Sequence, residues 1–533
     1  MALLIAQGAT TLYKVDTLTG TATALTLPSG VTLSSTRRPR FAVLNQFVVV
    51  VNSPTRNIAI DPEGVVRVLV PRAPTSPPAV GASGTGLTGS YEIRQSFIVK
   101  DTIGNLIMES ALSPSSLPFT ASNQGLSITN IAISEDSITA RRLYRNTAGG
   151  DDFFFLQDVE GNTTTAVVNA LSDAGLSLLP VMAASLVSPP GTLQSSRLRN
   201  IVSWKNRLWA VSDDPEEVDT VVYTDDGKVY AWPNQLSAYP KGQDAEGIVA
   251  FAPRRDQLGL LKRNGVWQIT GDSNSNFKVV QLNVEQGRGG CVAAESILII
   301  NDRAYWLGKD GVYEWGPQGV VCISDETVGP WFKGDATFTR SRFANAFARY
   351  NPRTTSYELH LAALGSSVED RWVSFNTKNR KWYGPHKTGL FTPSASATAE
   401  DGNGLPITVI GGADGIIYLG NSANYRDGSA TAIDFDCYGP FHFENAPDIE
   451  HCFGELSMLS KVESGGTLTI TPTVGRLNTA AGTAISHDLT KGRERLRRLG
   501  TGAGARLRFQ QAKVNQGVSI YGYEVPTHEL GRR

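Results

Sequence analysis

A basic segment near the C-terminus is the densest group of side chains that could do chemistry. KGRERLRRLGTGAGARLRF sets seven cations against a single acid, Glu494. Cations at this density can neutralise phosphates and bind nucleic acid without reading its sequence. A solvated surface or an acidic protein partner would explain the same pattern. The residues predicted to contact DNA or a partner are Lys491, Arg493, Arg495, Arg497, Arg498, Arg506 and Arg508.

A smaller basic cluster, STRRPRF, contains Arg37, Arg38 and Arg40 and comes directly before an apolar strand. A salt bridge between neighbouring sheets is the simplest interpretation of this cluster.

Two cysteines and two histidines lie close together in the sequence, at Cys437, His442, His451 and Cys452. Thiolate and imidazole are the ligands that zinc prefers, but this spacing matches no compact zinc motif. Buried cysteines and surface histidines are the commoner explanation, and no metal site is predicted.

Motifs of the common enzyme classes are missing from the sequence. It has no HExxH, no GxSxG and no GxxxxGK[ST], and GRGG at 287–290 indicates a turn between sheets. TDDGKVYAW and KDGVYEW approach the Asp-box turn of sialidases without its serine spacing. Hairpin chemistry explains both, so no catalytic residue and no cofactor is predicted. A propeller that binds or hydrolyses glycans stays open as the alternative.

Composition excludes several classes. The formal net charge is -1 over 533 residues, so no bulk field draws the chain to nucleic acid or to an anionic membrane. The four cysteines show no CxxC spacing, which favours reduced, mostly buried thiols and folding in a cytosol. The start MALLIAQGATTLYK lacks a basic signal region, and no run approaches eighteen apolar residues. We therefore expect no signal peptide and no membrane insertion.

Recurring hairpins must position these groups. Short apolar runs alternate with polar turns throughout, which predicts an all-β protein. From Ile201 onward the starts lie 47, 48, 48 and 63 residues apart, a spacing typical of four-stranded propeller blades. Six or seven blades are preferred, and a row of β-sandwiches is the competing interpretation. The repeats begin at Phe41, Ile201, Ile248, Ser296, Ala344 and Ile407.

Two hairpins are predicted in detail. The N-terminal one turns at Asp16 to Gly20 and could close the ring. In DRAYWLGKDGVYEWG, an Asp310-Gly311 pair suits positive backbone dihedrals. Its aromatics are expected on alternating faces of two strands, and they are Tyr305, Trp306, Tyr313 and Trp315.

One interval between repeats is too long for a blade. Pro77-Pro78 and Pro189-Pro190 bound an insert whose roughly seven strands predict an immunoglobulin-like or fibronectin-like sandwich. The predicted domains are residues 1–75 and 193–430 for the propeller, 76–192 for the insert, and 431–533 for a C-terminal β-rich module.

The order of segments resembles tail nozzle proteins of short-tailed bacteriophages, also called stabilisation or tail tubular proteins. LLKRNGVWQITGD and RAYWLGKDGVYEWGPQGVVCISDETVGPWF are similar to their central region. GNLIMESALSP with ARRLYRNTAGGDDFFFLQDV resembles their sandwich domain, and ARLRFQQAKVNQGVSIYGYEVPTHELGRR resembles their C-terminal end.

This resemblance implies a structural virion protein without catalytic residues. Six copies would form a ring below the portal and adaptor, continue the DNA channel, and hold fibres or spikes. The expected location is the virion tail, after synthesis in the bacterial cytoplasm.

Overall fold

The computed structural model describes residues 3–17, 19–51, 53–163, 166–183, 198–212, 219–232, 234–237, 247–282, 289–334, 337–389, 391–400, 404–420, 426–427, 431–432, 435–439, 441–442, 449–475, 479–512 and 518–532. The chain divides into two compact units. The first comprises Met1–His386 and Ala395–Thr408, and the second comprises Lys387–Ser394 and Val409–Arg533.

Successive antiparallel sheets of three or four strands make up most of the first unit. Among the described residues, seven sheets pair three or four consecutive strands in chain order, so the expected all-β propeller with six or seven blades is confirmed. The strands are β1–β3 (Leu3–Gly8, Thr11–Asp16, Ala22–Ala24), β4–β7 (Arg40–Leu44, Phe47–Val51, Ile58–Ile60, Val66–Val68), β15–β18 (Leu198–Trp204, Arg207–Ser212, Thr220–Tyr223, Asn234–Ser237), β19–β22 (Ala250–Pro253, Leu258–Lys262, Gly265–Thr270, Lys278–Gln281), β23–β26 (Leu298–Ile300, Arg303–Leu307, Val312–Gly316, Gly319–Cys322), β27–β30 (Phe347–Asn351, Ser356–Leu361, Arg371–Asn376, Lys381–Lys387) and β31–β33 (Pro393–Glu400, Pro406–Gly412, Ile417–Gly420).

Tight turns explain why the hairpins recur. The first and second strands of three sheets are joined by residue pairs in which both residues have positive φ, namely Asn45-Gln46, Lys205-Asn206 and Asn301-Asp302. Two consecutive positive φ values define a type I′ turn, whose twist matches that of the flanking strands. Asparagine tolerates this conformation best after glycine, and each pair contains one.

The two faces of a sheet pack in different hydrophobic cores. On β24, Tyr305 packs in the cluster shared with β27–β29, whereas Trp306 packs in the cluster shared with β19–β21. Tyr313 and Trp315 on β25 belong to the latter cluster. All four side chains are buried, so the expectation that they line blade faces is confirmed.

Ring closure joins the first and last of these sheets. The Thr17 hydroxyl donates to the Glu400 carbonyl at 3.1 Å, which connects the turn after β2 with the end of β31. On its other side, Ser396 of β31 donates to the carbonyl of Ala348 on β27 at 3.1 Å. The predicted turn at Asp16 to Gly20 is present, since the Gly20 amide donates to the Asp16 carbonyl.

Two details of the sequence prediction were wrong. Neither Asp310 nor Gly311 has positive φ. Glycine is required at 311 because a Cβ there would lie 2.4 Å from the Ser324 Oγ. The seventh sheet begins at Pro393 rather than Ile407, because its first strand, PSASATAE, lacks the apolar residues that marked the other repeats.

The insert forms two packed sheets, as predicted for a sandwich. Leu126, Ile128 and Leu143 lie in the core between them. Val99 and Met108 pack instead in a propeller core, so the insert rests on the sheets β4–β7 and β15–β18. The strands are β8 (Ala79–Tyr91), β9 (Ile93–Lys100), β10 (Leu106–Glu109), β11 (Phe119–Thr129), β12 (Ala140–Asn146), β13 (Phe153–Glu160) and β14 (Ala166–Asn169), followed by α1 (Asp173–Leu176).

The second unit is also a β-sandwich. One sheet has the order β36-β41-β38-β39, and the other pairs β37 with β40, β42 and β43. Met458, Ile470 and Phe509 fill the core between them. The strands are β34 (Arg426–Asp427), β35 (Thr431–Ala432), β36 (Phe435–Tyr438), β37 (Ile449–Ser460), β38 (Thr467–Gly475), β39 (Ile485–Asp488), β40 (Arg493–Gly502), β41 (Gly504–Gln511), β42 (Ile520–Glu524) and β43 (Thr527–Arg532).

Helices are short. In addition to α1, the described chain contains α2 (Asp325–Phe332) and short 3₁₀ helices at Ala294–Ser296, Arg340–Asn345 and Leu489–Lys491. Within the described ranges, no helix combines the length and the apolar character that crossing a bilayer requires. The predicted domain boundaries stay predictions, and Pro189-Pro190 lies outside the described residues.

Candidate functional site

The first strands of four successive sheets line an open pocket of about 350 Å³, called here the axial pocket. Its walls come from strands β4, β15, β19 and β23. Each of these is the first strand of its sheet. Most of the lining is apolar, with a polar end formed by Arg40, Glu295 and Asn200. Its apolar lining residues include Phe41, Ile201, Val202, Phe251, Leu298 and Ile299.

An ion pair between sheets lies at the polar end of this pocket. Arg40 at the start of β4 contacts Glu295, which comes just before β23. Burial lowers the pKa of Arg40 to about 10, and the nearby charge of Arg38 acts in the same direction. Arg40 therefore stays protonated at neutral pH and is held by its carboxylate partner. The salt bridge between sheets expected from STRRPRF is present here.

Arg38 occupies a second charged environment. Its guanidinium lies 5.7 Å from the centre of the Phe347 ring on β27. Burial lowers the pKa of Arg38, the charge of Glu369 opposes this, and the charge of Arg342 adds to it. Arg342 itself donates to Glu369 at 2.8 and 3.1 Å. The segment before β4 thus connects the sheet β4–β7 with the sheet β27–β30.

The axial pocket is poorly equipped for hydrolysis. Retaining glycosidases hold two carboxyl groups roughly 5 Å apart, and inverting ones hold them at a somewhat larger separation. Glu295 is the one acid among the described residues that line this pocket, and Arg40 already pairs with it. Nearby Cys291 is fully buried, and burial raises the pKa of its thiol to about 12, so it is not a thiolate nucleophile at neutral pH.

The predicted basic residues near the C-terminus are divided between the two sheets of the second unit. Arg493, Arg495, Arg497 and Arg498 lie on β40, whereas Arg506 and Arg508 lie on β41 of the other sheet. The sequence alternates basic and other residues along both strands, a period-two signal that could have predicted them.

The two arginines on β41 are occupied. Arg508 donates to both carboxylate oxygens of Asp436 on the neighbouring strand β36. Both Arg506 and Arg508 lie over the Tyr438 ring, at 5.1 and 4.9 Å from its centre. The hydrogen bond from Arg508 lowers the pKa of Asp436, which fixes the pair in its charged form.

Several cations near β40 also have partners. Lys491 donates to Glu494 at 2.5 Å, and Arg497 donates to the Thr483 carbonyl at 2.5 Å. Arg498 contacts the thiol of Cys452.

Arg493 and Arg495 differ from these residues. They are exposed, lie opposite Leu459 and Ser457 on β37, and have no acidic partner within the described part of the chain. Leu459 is itself exposed on this strand. These two arginines are the members of the predicted set that are available to an external ligand.

The residues considered for zinc are not assembled. Cys437 is exposed on β36, His442 forms a bridge with Ala505, and His451 and Cys452 are buried on β37. In the described ranges no group of three or more His, Cys, Asp or Glu side chains could hold a metal ion. All four cysteines are unpaired.

The other turns considered earlier act as turns. Asp310 accepts a hydrogen bond from the Tyr313 hydroxyl at 2.7 Å, and the Gly308 amide closes the hairpin onto the Gly311 carbonyl. In GRGG, Gly290 packs so close to the Arg263 carbonyl that no side chain fits, and residues 287–288 lie outside the described ranges.

The fold places the chain in the class of β-propeller proteins with an inserted sandwich. No protein-family model and no curated protein matches the sequence. Among solved structures, it is similar to a sialidase of Trypanosoma rangeli at 9% identity and TM-score 0.28, covering 98% of this chain and 86% of that one. PorZ of the type-IX secretion system of Porphyromonas gingivalis matches at 10% identity and TM-score 0.28, covering 97% and 79%.

An exo-β-1,3-galactanase of Phanerochaete chrysosporium matches at 12% identity and TM-score 0.20, covering 83% of this chain and 100% of that one. Identities and TM-scores this low transfer no activity to the present chain.

Proposed function

We propose that the protein is a structural subunit of the tail nozzle of a short-tailed bacteriophage. The order of segments described above suggests the class, and the chemistry of the axial pocket supports it. A concave, mostly apolar pocket such as the axial pocket is the default candidate for chemistry. Glu295, the one acid among the described residues that line it, is already paired with Arg40. A propeller of this kind serves as a rigid wall element.

Exposed cations on a separate module fit the same role. Arg493 and Arg495 on β40 lack acidic partners among the described residues. Such cations can contact phosphates of DNA passing along a channel, or an acidic face of a neighbouring tail protein. In this proposal six copies form a ring that meets the adaptor and portal, continues the DNA channel, and anchors fibres or spikes.

Cryo-electron microscopy tests the proposal directly. The purified full-length chain is mixed with portal and adaptor rings of the matching phage, and particles are classified with and without it. A six-fold ring bound at the distal end of the adaptor is the expected result. A chain that stays monomeric at high concentration and leaves the adaptor bare would overturn it.

A turnover assay separates the alternative. Glycan hydrolysis predicts release of fluorophore from at least one member of a panel of fluorogenic glycosides. We expect no turnover, because the axial pocket lacks a second lining carboxylate among its described residues. Glu295→Gln is the matched variant, since a genuine hydrolase acting here would lose its activity with this change.

A further inference from the structure

A second pocket, of about 400 Å³, lies between the fifth and sixth sheets of the propeller and away from the axis. We call it the arginine pocket. Turns at the ends of both sheets form it, because the turn from β25 to β26 meets the turn from β29 to β30. The residues that carry its chemistry are Arg303, Glu314, Gly316, Gln318, Thr377 and Arg380.

One buried carboxylate holds two cations at this pocket. Glu314 on β25 accepts two hydrogen bonds. Nη1 of Arg303 donates to its Oε1, and Nη1 of Arg380 donates to its Oε2. The Glu314 side chain is 2% exposed, whereas the guanidinium-bearing side chains of Arg303 and Arg380 are 43% and 47% exposed. The buried acid therefore anchors both arginines while their outer edges face the pocket.

The charges do not cancel. Two guanidinium groups share one carboxylate, so the group as a whole carries a single positive charge. Each arginine gives one nitrogen to Glu314, and the remaining N–H groups are directed elsewhere. A guanidinium presents these donors in a planar fork that matches a carboxylate or a phosphate. Thr377 and Gln318 add neutral polar groups at the same pocket.

The backbone near both arginines has unusual features. Arg380 has a φ of 60°, a conformation that a turn normally gives to glycine or asparagine. Its guanidinium is held 5.1 Å from the centre of the Phe375 ring. At Gly316, a Cβ would lie 2.9 Å from Nη1 of Arg303, the nitrogen that donates to Glu314, so the missing side chain leaves room for this contact.

We propose that the arginine pocket binds an oxoanion, a carboxylate or a phosphate group, carried by a ligand of up to monosaccharide size. The pocket volume is at the lower end of the range for small-molecule sites, which is roughly 300 to 1,000 Å³. Glu314 acts as a positioning residue that orients the two forks, and Arg303 and Arg380 contact the anion. The inference does not depend on the proposed nozzle function.

Isothermal titration calorimetry on the full-length chain tests this inference. The probes are inorganic phosphate, glucose 6-phosphate, glucuronate, and neutral glucose. We expect binding of at least one anionic probe and none of glucose. Preference for glucuronate over both phosphates would assign the site to carboxylates, and the reverse would assign it to phosphates. Absence of binding by every anion would overturn the inference.

Three variants locate the binding. Arg380→Gln and Arg303→Gln are each expected to lower the affinity for the anion by at least about tenfold, the equivalent of one lost charge-assisted contact. Arg353→Gln is the matched control, because Arg353 is an exposed arginine on the neighbouring turn after β27 and does not line the pocket. Equal affinity in all of these variants would contradict the assignment.

Gly316→Ala provides a second readout that spares the cations. The added methyl group would crowd Nη1 of Arg303 without removing any charge. Binding should weaken at least about fivefold while thermal unfolding changes little. If Arg380→Gln unfolds the protein, this variant still decides the question, since unchanged affinity in Gly316→Ala would count against the site.

Discussion

Arginines of the propeller and arginines of strand β40 use the same side chain in opposite ways. Arg40 is a partly buried residue paired with Glu295, and Arg303 and Arg380 share the buried Glu314. In contrast, Arg493 and Arg495 lie exposed on β40 without an acidic partner in the described ranges. The propeller arginines therefore have a carboxylate partner, whereas the two arginines of β40 have none in the described ranges.

This difference separates arginines that are held by a carboxylate from arginines that only water solvates. Removing one partner of a buried pair leaves an uncompensated charge, which is costly, whereas an exposed cation is solvated by water in either state. Stability effects should therefore decrease from the axial pair to the exposed strand, and effects on assembly should increase in the same order.

The axial pair should give the largest loss of stability. Glu295→Ala leaves the partly buried Arg40 without its partner, and we expect the free energy of unfolding to fall by about 2 to 3 kcal/mol. Urea unfolding followed by tryptophan fluorescence measures it. Combining Glu295→Ala with Arg40→Met should recover part of the loss. A change below about 0.5 kcal/mol would mean that the pair does not support the propeller.

Glu314→Gln should have a smaller effect. The amide keeps a hydrogen-bond acceptor for one arginine, and both guanidinium groups are half exposed and can be solvated. We expect a loss of about 1 kcal/mol in the same urea experiment. Anion binding at the arginine pocket should nevertheless weaken, because the forks lose their orientation. Stability and binding that both stay unchanged would remove Glu314 from its positioning role.

The Asp436–Arg508 pair should contribute least among the paired arginines, and its contribution should depend on pH. The hydrogen bond from Arg508 keeps the pKa of Asp436 below its unfolded value. The stabilisation is therefore present above the unfolded pKa and is lost as pH falls through the folded pKa. Thermal unfolding of the protein and of Asp436→Asn should differ slightly at neutral pH and converge in acid. A difference that grows as the pH falls would contradict this sign.

Arg493→Gln with Arg495→Gln should leave stability unchanged and alter binding. Circular dichroism should give an unfolding temperature within error of the parent. If the face meets DNA, the slope of log binding constant against log salt should decrease in magnitude by roughly 2, because two phosphate contacts are lost. Arg506→Gln is the matched control on β41. If the salt slope stays unchanged and the six-fold ring no longer forms, the face of Arg493 and Arg495 binds a neighbouring protein instead of DNA.

Sequence reasoning predicted the fold better than it predicted the candidate site. Period-two alternation revealed the blades, and the aromatics of β24 and β25 lie on the faces expected of them. It missed the strand at Pro393–Glu400, since small and hydroxylated residues there carry no apolar signal. It also treated the seven C-terminal cations as one group, although the structure divides them between two sheets.

The arginine pocket shows what local patterns leave out. Arg303 lies 11 residues before Glu314 in the sequence, and Arg380 lies 66 residues after it. The hairpin of β24 and β25 brings Arg303 to Glu314, but no local rule brings Arg380 to them, because that contact is made by packing the fifth sheet against the sixth. Glu295 likewise has no feature in its own segment that marks it as the partner of Arg40.

By itself the sequence determined the all-β class, the repeated hairpins, the inserted sandwich and the positions of the cations, because these follow from alternation, turn residues and composition, which act over a few neighbouring positions. The tertiary structure alone decided which arginine meets which carboxylate. Charge pairing depends on distance and burial, and both are set by how distant strands pack together.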